Sequence, residues 1–195
     1  MTSLTAEAAR ETLLKIILEK SYREGDFTLV SGAKSTFYID MKATILHPVG
    51  AKALGILATE WMKNEGLTFE GVGGLTLGAD PIVMAVSLGA YDAGITLPAT
   101  MIRKEAKKHG TSRYIEGVEN FKKGDRFLVV EDVVTTGGSA KKAIEILKSE
   151  GYDPTYLLTL VDREAGGAEE FKKMGLKYHA LFAISEIKQR YALSK

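Results

Sequence analysis

The sequence predicts an α/β fold: a mainly parallel sheet of about five strands flanked by helices, with a small N-terminal hood. Three observations lead there. From about residue 68, short apolar β-rich runs alternate with helical segments, the pattern of strands covered on both faces by crossover helices. The first 65 or so residues do not follow this alternation. The length of 195 residues suits one domain with at most a small appended subdomain. The expected organisation is therefore a single domain over 1–195, with a hood and N-terminal helices over about 1–65 and an α/β core over about 66–185.

The elements can be justified in order. Leu13, Leu14, Ile16 and Ile17 recur at helical spacing, so roughly residues 5–20 form an amphipathic helix. Gly25–Met41 is rich in β-formers and turn residues and reads as short strands. Pro48 opens a second helix, at a position where its missing N–H costs nothing; Leu54, Leu57, Ala58 and Trp61 make its apolar stripe, and Gly66 is its stop. The runs FEGVGGL, LPATMIR, RFLVVED, TYLLTLVD and YHALFAI then supply five strands. Helices are expected at Pro81–Tyr91, after RFLVVED with Ala140, Ala143, Ile144 and Leu147 on one face, and near Ala168–Met174.

Composition narrows the functional classes. There are 26 Lys and Arg against 25 Asp and Glu, a formal net charge of +1, which argues against a general nucleic-acid or membrane-surface binder. There are no cysteines, so disulfides, Cys-ligated zinc and thiol catalysis are excluded. The opening MTSLTAEAARETLLK carries acidic residues and no long apolar run; it reads as neither a signal peptide nor a membrane span, and the cytoplasm is the expected location.

The informative segment is Val129–Ser139, in which a buried strand is expected to end in two adjacent carboxylates, Glu131 and Asp132, before a turn of Thr, Thr, Gly, Gly and Ser leads into a helix. Ligands of open α/β sheets bind at the carboxyl ends of the strands. The turn offers hydroxyls and free N–H groups at a helix N-terminus, which cradle phosphate. The carboxylates would repel a phosphate, but they accept hydrogen bonds from sugar hydroxyls or help hold a divalent cation. A site with both halves suits a phosphorylated ribose. Simple helix capping would explain a lone Thr-Gly pair, but it does not call for an acidic pair as well.

The run VVEDVVTTGGSA resembles the phosphoribosyl pyrophosphate (PRPP) motif of type I phosphoribosyltransferases, and it lacks the GK[ST] of ATP-type loops. The resemblance implies that Glu131 and Asp132 hold the ribose 2′- and 3′-hydroxyls. It also implies that Val133, Val134, Thr135, Thr136, Gly137, Gly138 and Ser139 form the PRPP turn, with Thr135–Ser139 on the 5′-phosphate, and that the fold is type I phosphoribosyltransferase-like.

Three further segments are similar to orotate phosphoribosyltransferases. Arg103-Lys104-Glu105-Ala106-Lys107-Lys108-His109-Gly110 matches that family's mobile loop, RKxxKxHG, and follows a predicted strand. Pyrophosphate is a highly charged leaving group, and several cations are needed to neutralise it. Arg103, Lys104, Lys107 and His109 are thereby implied to bind PRPP, with Lys107 and Asp132 catalytic. Gly110 and Gly117 would act as hinges of a water-excluding lid. Phe27–Asp40 resembles the orotate-contacting segment FTLxSGxxSxxY, which places Tyr38 and Ile39 on the pyrimidine. Asp162-Arg163 matches a family pair whose Arg contacts orotate; a guanidinium fork suits a planar anion, and Thr135 is implied to share the base.

Two departures concern cations. Some family members carry Lys where this chain has Val30, and some carry a Tyr-Lys pair at Thr76 and Leu77. Lys34 lies close in sequence as a possible additional substrate contact, and the Gly73-Gly74 backbone is available to donate N–H groups to pyrophosphate.

The resemblance implies transfer of the phosphoribosyl group from PRPP to orotate, giving orotidine 5′-monophosphate and pyrophosphate on the route to UMP. Mg²⁺ is expected to be held mainly through PRPP, with Asp132 as the available protein carboxylate. It also implies a homodimer with shared active sites. The loop's root is expected on the strand next to the acidic-pair motif, so Lys107 would reach the pyrophosphate side of a partner's site. No nucleic-acid or membrane partner is expected. The alternatives are transfer to another base, or a PRPP-sensing regulatory protein; the latter would need a basic face or an added DNA-binding domain, neither of which is evident.

Overall fold

The computed structural model describes residues 4–28, 32, 34–106 and 114–195. Helix α1 (Ala6–Ile16) is capped by the Thr5 hydroxyl, which accepts from the Ala8 N–H, and runs on through a wider π-type turn at Ile17–Ser21. A two-stranded antiparallel hairpin follows, β1 (Tyr22–Thr28) and β2 (Lys34–Ile39). After the short α2 (Lys42–Ile45), Pro48 opens α3 (Pro48–Asn64), which stops before Gly66 at φ +61°. The alternating part comprises β3 (Gly71–Leu75), α4 (Asp80–Asp92), β4 (Ala99–Ile102), β5 (Arg126–Val134), α5 (Gly138–Ser149), β6 (Asp153–Asp162), α6 (Gly167–Lys173) and β7 (Lys177–Ala183). A final helix, α7 (Ile184–Leu193), closes the chain.

The five strands of the main sheet are all parallel, in the order β4-β3-β5-β6-β7. One face packs on α1, α3, α4 and α7 through an apolar cluster that includes Leu13, Leu54, Ile82, Leu128, Val130, Leu158 and Ile187. The other packs on α5 and α6 through Phe127, Val129, Ile144, Leu147, Leu157 and Phe171. Burial of large apolar side chains on both faces is what holds a parallel sheet together.

Several expectations are refined. The N-terminal helices α1 and α3 contribute to the same apolar cluster as the sheet, so the part standing out as a hood is the β1–β2 hairpin. The acidic pair does not end its strand: β5 runs on to Val134, with Glu131 opposite Thr159 and Val134 opposite Asp162. Hydrogen bonding to β6 carries β5 past the carboxylates. β4 is an edge strand with β3 between it and β5, so the cationic loop does not root beside the acidic-pair motif; the crossover through α4 puts β4 on the outer side of β3. Gly73 and Gly74 lie within β3, where Gly73 is opposite Thr100 on one side and Val129 on the other and Gly74 is opposite Met101. Their backbone is committed to the sheet, and the turn over residues 76–79 is the part that projects beyond it.

Candidate active site

The carboxyl ends of β3, β5 and β6 converge with the hairpin. At the end of β5, Glu131, Val133, Thr135, Thr136, Gly137, Gly138, Ser139 and Ala140 line one cavity of about 250 Å³. All but Ala140 were anticipated as PRPP-binding residues. α5 begins there, with Gly137 in the left-handed conformation at φ +82° and no side-chain capping bond. The hydroxyls of Thr135, Thr136 and Ser139 are thus not used as a cap, and the first N–H groups of α5 point toward the cavity end with the positive pole of the helix dipole. Val134 differs from its neighbours: its side chain is buried against α5 and α6, and its carbonyl accepts from the Arg163 N–H at 2.9 Å. It shapes the turn rather than lining it.

The two carboxyl groups differ in environment. Glu131 is 6% exposed and its Oε2 has no hydrogen-bond partner among the described residues. Burial, reinforced by the neighbouring Asp132 carboxylate, pushes its carboxyl up to about 9, against the opposing charge of Lys104. This environment favours the protonated form of Glu131 over its carboxylate. Asp132 accepts from the Val133 N–H at 2.8 Å. Gly78, in the turn after β3, approaches it so closely that a Cβ there would lie 3.0 Å from the carboxylate.

The next cavity, about 370 Å³, is lined by Thr76, Leu77, Asp80, Arg103, Lys104 and Glu105. Arg103 is paired with Glu116 at 2.9 Å. Asp80 has a buried Oδ1 without a partner among the described residues, and burial raises its pKa. The turn that supplies Thr76 and Leu77 to this cavity also brings Gly78 against Asp132, so the cavity neighbours the acidic pair. Lys107 and His109 lie outside the described residues.

At the end of β6, Arg163 and Asp162 do not form an ion pair with each other. Asp162 accepts from the Glu164 N–H at 2.7 Å. Arg163 turns to the hairpin: its guanidinium reaches the Ser35 Oγ at 3.5 Å and lies 4.6 Å from the centre of the Phe37 ring. Burial lowers its pKa. This contact docks the hairpin over the sheet. Side chains alternate along a strand, so Ser35, Phe37 and Ile39 share the face toward Arg163, while Lys34, Thr36 and Tyr38 take the other. Tyr38 is accordingly exposed and packs against Phe27 at 5.5 Å between ring centres, and it does not meet Arg163. The Ile39 side chain is in the main core, so a contact from it to a base has to come from its main chain. Lys34 bonds the Thr28 hydroxyl at 2.9 Å and lines a separate cavity with Asp26, Phe27, Ser35 and Thr36.

Other residues at this end of the sheet had no motif to mark them. Glu164, at φ +54°, accepts from the N–H and hydroxyl of Ser185 and so caps α7. Lys42 contacts Asp40 immediately after β2. The only sequence signal for that pair was two opposite charges two residues apart.

A family model described as "Phosphoribosyl transferase domain" matches residues 74–184, the span from within β3 to the first residue of α7. The fold is that of a phosphoribosyltransferase. The chain is 47% identical to the orotate phosphoribosyltransferase of a Nostoc species over 93% of its own length and 86% of the relative's. It is 46% identical to that of a Synechocystis species over 98% of both. Among solved structures, it resembles the Mycobacterium tuberculosis orotate phosphoribosyltransferase in complex with 5-phospho-α-D-ribosyl 1-diphosphate, with a TM-score of 0.75 and 30% identity over 92% of this chain and 99% of that one. The chain belongs to the orotate phosphoribosyltransferase family.

Proposed function

We propose that this chain transfers the 5-phosphoribosyl group of PRPP to orotate, giving orotidine 5′-monophosphate and pyrophosphate for UMP synthesis, within a single domain. The carrying observation is the cavity at the end of β5, where hydroxyls and helix N–H groups left uncapped stand beside the buried Glu131, with the half-buried Asp132 next to it in the strand. Thr135, Thr136, Gly137, Gly138 and Ser139 bind the 5′-phosphate; Glu131 and Asp132 take the ribose hydroxyls. Arg163 holds the orotate carboxylate or ring oxygens, with Thr135 and the hairpin closing on the base. Arg103 and Lys104, with Lys107 and His109, neutralise the diphosphate.

The reaction is a displacement at ribose C1. The orotate nitrogen attacks as the C1–O bond to pyrophosphate breaks, with inversion from α to β through an oxocarbenium-like transition state. No protein nucleophile is needed, and the chain acts by positioning and charge neutralisation. The donors present fit a Mg²⁺ ion carried with PRPP. No three His, Asp or Glu converge into a metal cage among the described residues, and the Asp132 carboxylate, which accepts from the Val133 N–H, is the protein group that would help hold the ion. When bound, such an ion offsets the charge of the leaving group.

A homodimer is the proposed working form. Met84, Leu88 and Tyr91 form an exposed stripe along α4, and Leu46, Val49 and Leu77 are exposed as well. Apolar side chains grouped in this way mark an association surface, and a two-fold partner covering Leu77 would stand beside the diphosphate cavity. Among the described residues no helix is long and apolar enough to cross a membrane, and cytoplasmic location is proposed. The direct test is to mix orotate, PRPP and Mg²⁺ with the protein and follow loss of orotate absorbance, with uracil, hypoxanthine and adenine as controls. Turnover of a control base in preference to orotate overturns the assignment.

A further inference from the structure

The turn after β6 contains a strained residue. Glu164 has φ +54°, the one positive φ outside glycine among the described residues. A glycine takes this conformation without strain; a residue with a Cβ takes it at a cost and keeps it only where its surroundings hold it there. What a glutamate adds over glycine at this position is its side chain, and both of its oxygens are engaged. Oε2 accepts from the Ser185 N–H at 2.9 Å and Oε1 from the Ser185 hydroxyl at 3.1 Å. Ser185 lies in the first turn of α7, and the sheet brings the two together, since Asp162 is opposite Ala183, the residue before that helix. The carboxylate thus also meets the positive end of the helix dipole.

The same turn carries Arg163, and its backbone is pinned on both sides of that residue. The Arg163 N–H donates to the Val134 carbonyl at 2.9 Å, and the Glu164 N–H donates to the Asp162 carboxylate at 2.7 Å. α7 reaches the hairpin as well: the Lys188 ammonium lies 4.3 Å from the centre of the Phe37 ring, the ring that the Arg163 guanidinium approaches to 4.6 Å. The turn after β6, the start of α7 and the hairpin are therefore tied into a triangle, and the Glu164–Ser185 contact is the side of it next to Arg163. We propose that Glu164 is a positioning residue for orotate: its bonds to α7 set the place from which the Arg163 guanidinium meets the base. This rests on the assignment of Arg163 to orotate. A helix cap with no further role would affect thermal stability alone and leave both substrates untouched.

The test is steady-state kinetics of the full-length protein with saturating Mg²⁺, varying orotate and PRPP separately, beside thermal unfolding. Glu164→Ala removes the carboxylate and keeps the strained backbone; Glu164→Gly removes the carboxylate and the strain together. Glu164→Gly should have the higher Tm of the two, because alanine keeps the cost of the positive φ. Both should nevertheless raise the KM for orotate by about threefold or more, with the KM for PRPP within about twofold of wild type. Glu164→Gln keeps an oxygen to accept from the Ser185 N–H, and its KM for orotate should stay close to wild type. Arg163→Ala combined with Glu164→Ala should be no worse for orotate than Arg163→Ala alone, because Glu164 acts through Arg163. An unchanged KM for orotate in both Glu164→Ala and Glu164→Gly overturns the proposal, as does an equal rise in the two Michaelis constants or a double variant with additive losses. Arg163→Ala separates the two levels: if it leaves the KM for orotate unaltered, the assignment of Arg163 falls; if it raises that KM while the Glu164 variants do not, only the role of Glu164 falls.

Discussion

Gly137→Ala is the substitution for which the structure yields the most definite magnitude. Gly137 has φ +82°, and a Cβ built there would lie 2.3 Å from the Phe171 Cζ and 3.0 Å from two further ring atoms. Phe171 is fully buried in the cluster beneath α5 and α6, so the ring has little room to retreat. The left-handed conformation alone costs an alanine about 1–2 kcal/mol, and forcing extra volume into a packed core costs about 1–3 kcal/mol. The sum is roughly 2–5 kcal/mol; at the midrange of about 3.5 kcal/mol, a chain of this size should lose roughly 7–14 °C of Tm. Two controls divide the terms. Gly166 has φ +90° with nothing within 4 Å of its Cβ position, and Gly138 meets nothing within 4 Å and has no positive φ. Gly166→Ala should show the backbone cost alone, and Gly138→Ala neither cost. Thermal unfolding gives the stabilities; kinetics should add a rise in the KM for PRPP in Gly137→Ala, because relief of the clash moves the Thr135–Ser139 turn. Equal Tm values for Gly137→Ala and Gly166→Ala would refute the steric argument, and an unaltered KM for PRPP would detach this turn from the phosphate.

Other outcomes are expected. Arg163→Ala should raise the KM for orotate by about tenfold or more, the loss of a charged hydrogen bond, and change the KM for PRPP far less; equal effects would assign Arg163 to docking the hairpin through Ser35 and Phe37. Chains carrying Lys107→Ala and Asp132→Asn, each nearly inactive alone, should regain about a quarter of wild-type activity after subunit exchange, since about half the dimers are hybrid and one site in two is intact; no recovery after verified exchange would mean that Lys107 serves its own chain. His179, stacked on Trp61 at 4.8 Å, has a pKa lowered by burial, with the charge of Glu65 opposing. The folded chain therefore binds fewer protons at this position than the unfolded chain, and stability is lost as pH falls below about 6.5 toward the depressed folded value. Tm measured from pH 7 to pH 5, followed by the fluorescence of Trp61, the sole tryptophan, should fall more steeply in wild type than in His179→Gln; parallel curves would contradict the assignment.

The sequence by itself determined the alternation of strands and helices, because buried parallel strands demand continuous apolar runs and crossover helices demand a 3.6-residue stripe. It also determined where the proposed phosphate turn lies: Thr135–Ser139 are contiguous, and a strand–turn–helix segment carries its residues in local chain order. The Asp162-Arg163 pair was legible only as a motif; its partners Ser35 and Phe37 are more than 120 residues away, and no local pattern encodes such a contact. Tertiary packing decided that Tyr38 and Arg163 face opposite sides of β2, since the two-residue period of the hairpin is oriented by which face the Arg163 contact takes. It decided that the cationic loop roots on an edge strand, because strand order follows from where crossovers land and not from chain order. It also decided that the two carboxyl groups differ. Two adjacent acidic residues look alike in a sequence, but burial of Glu131 beside the charge of Asp132 raises its pKa, and burial is a property of the folded chain.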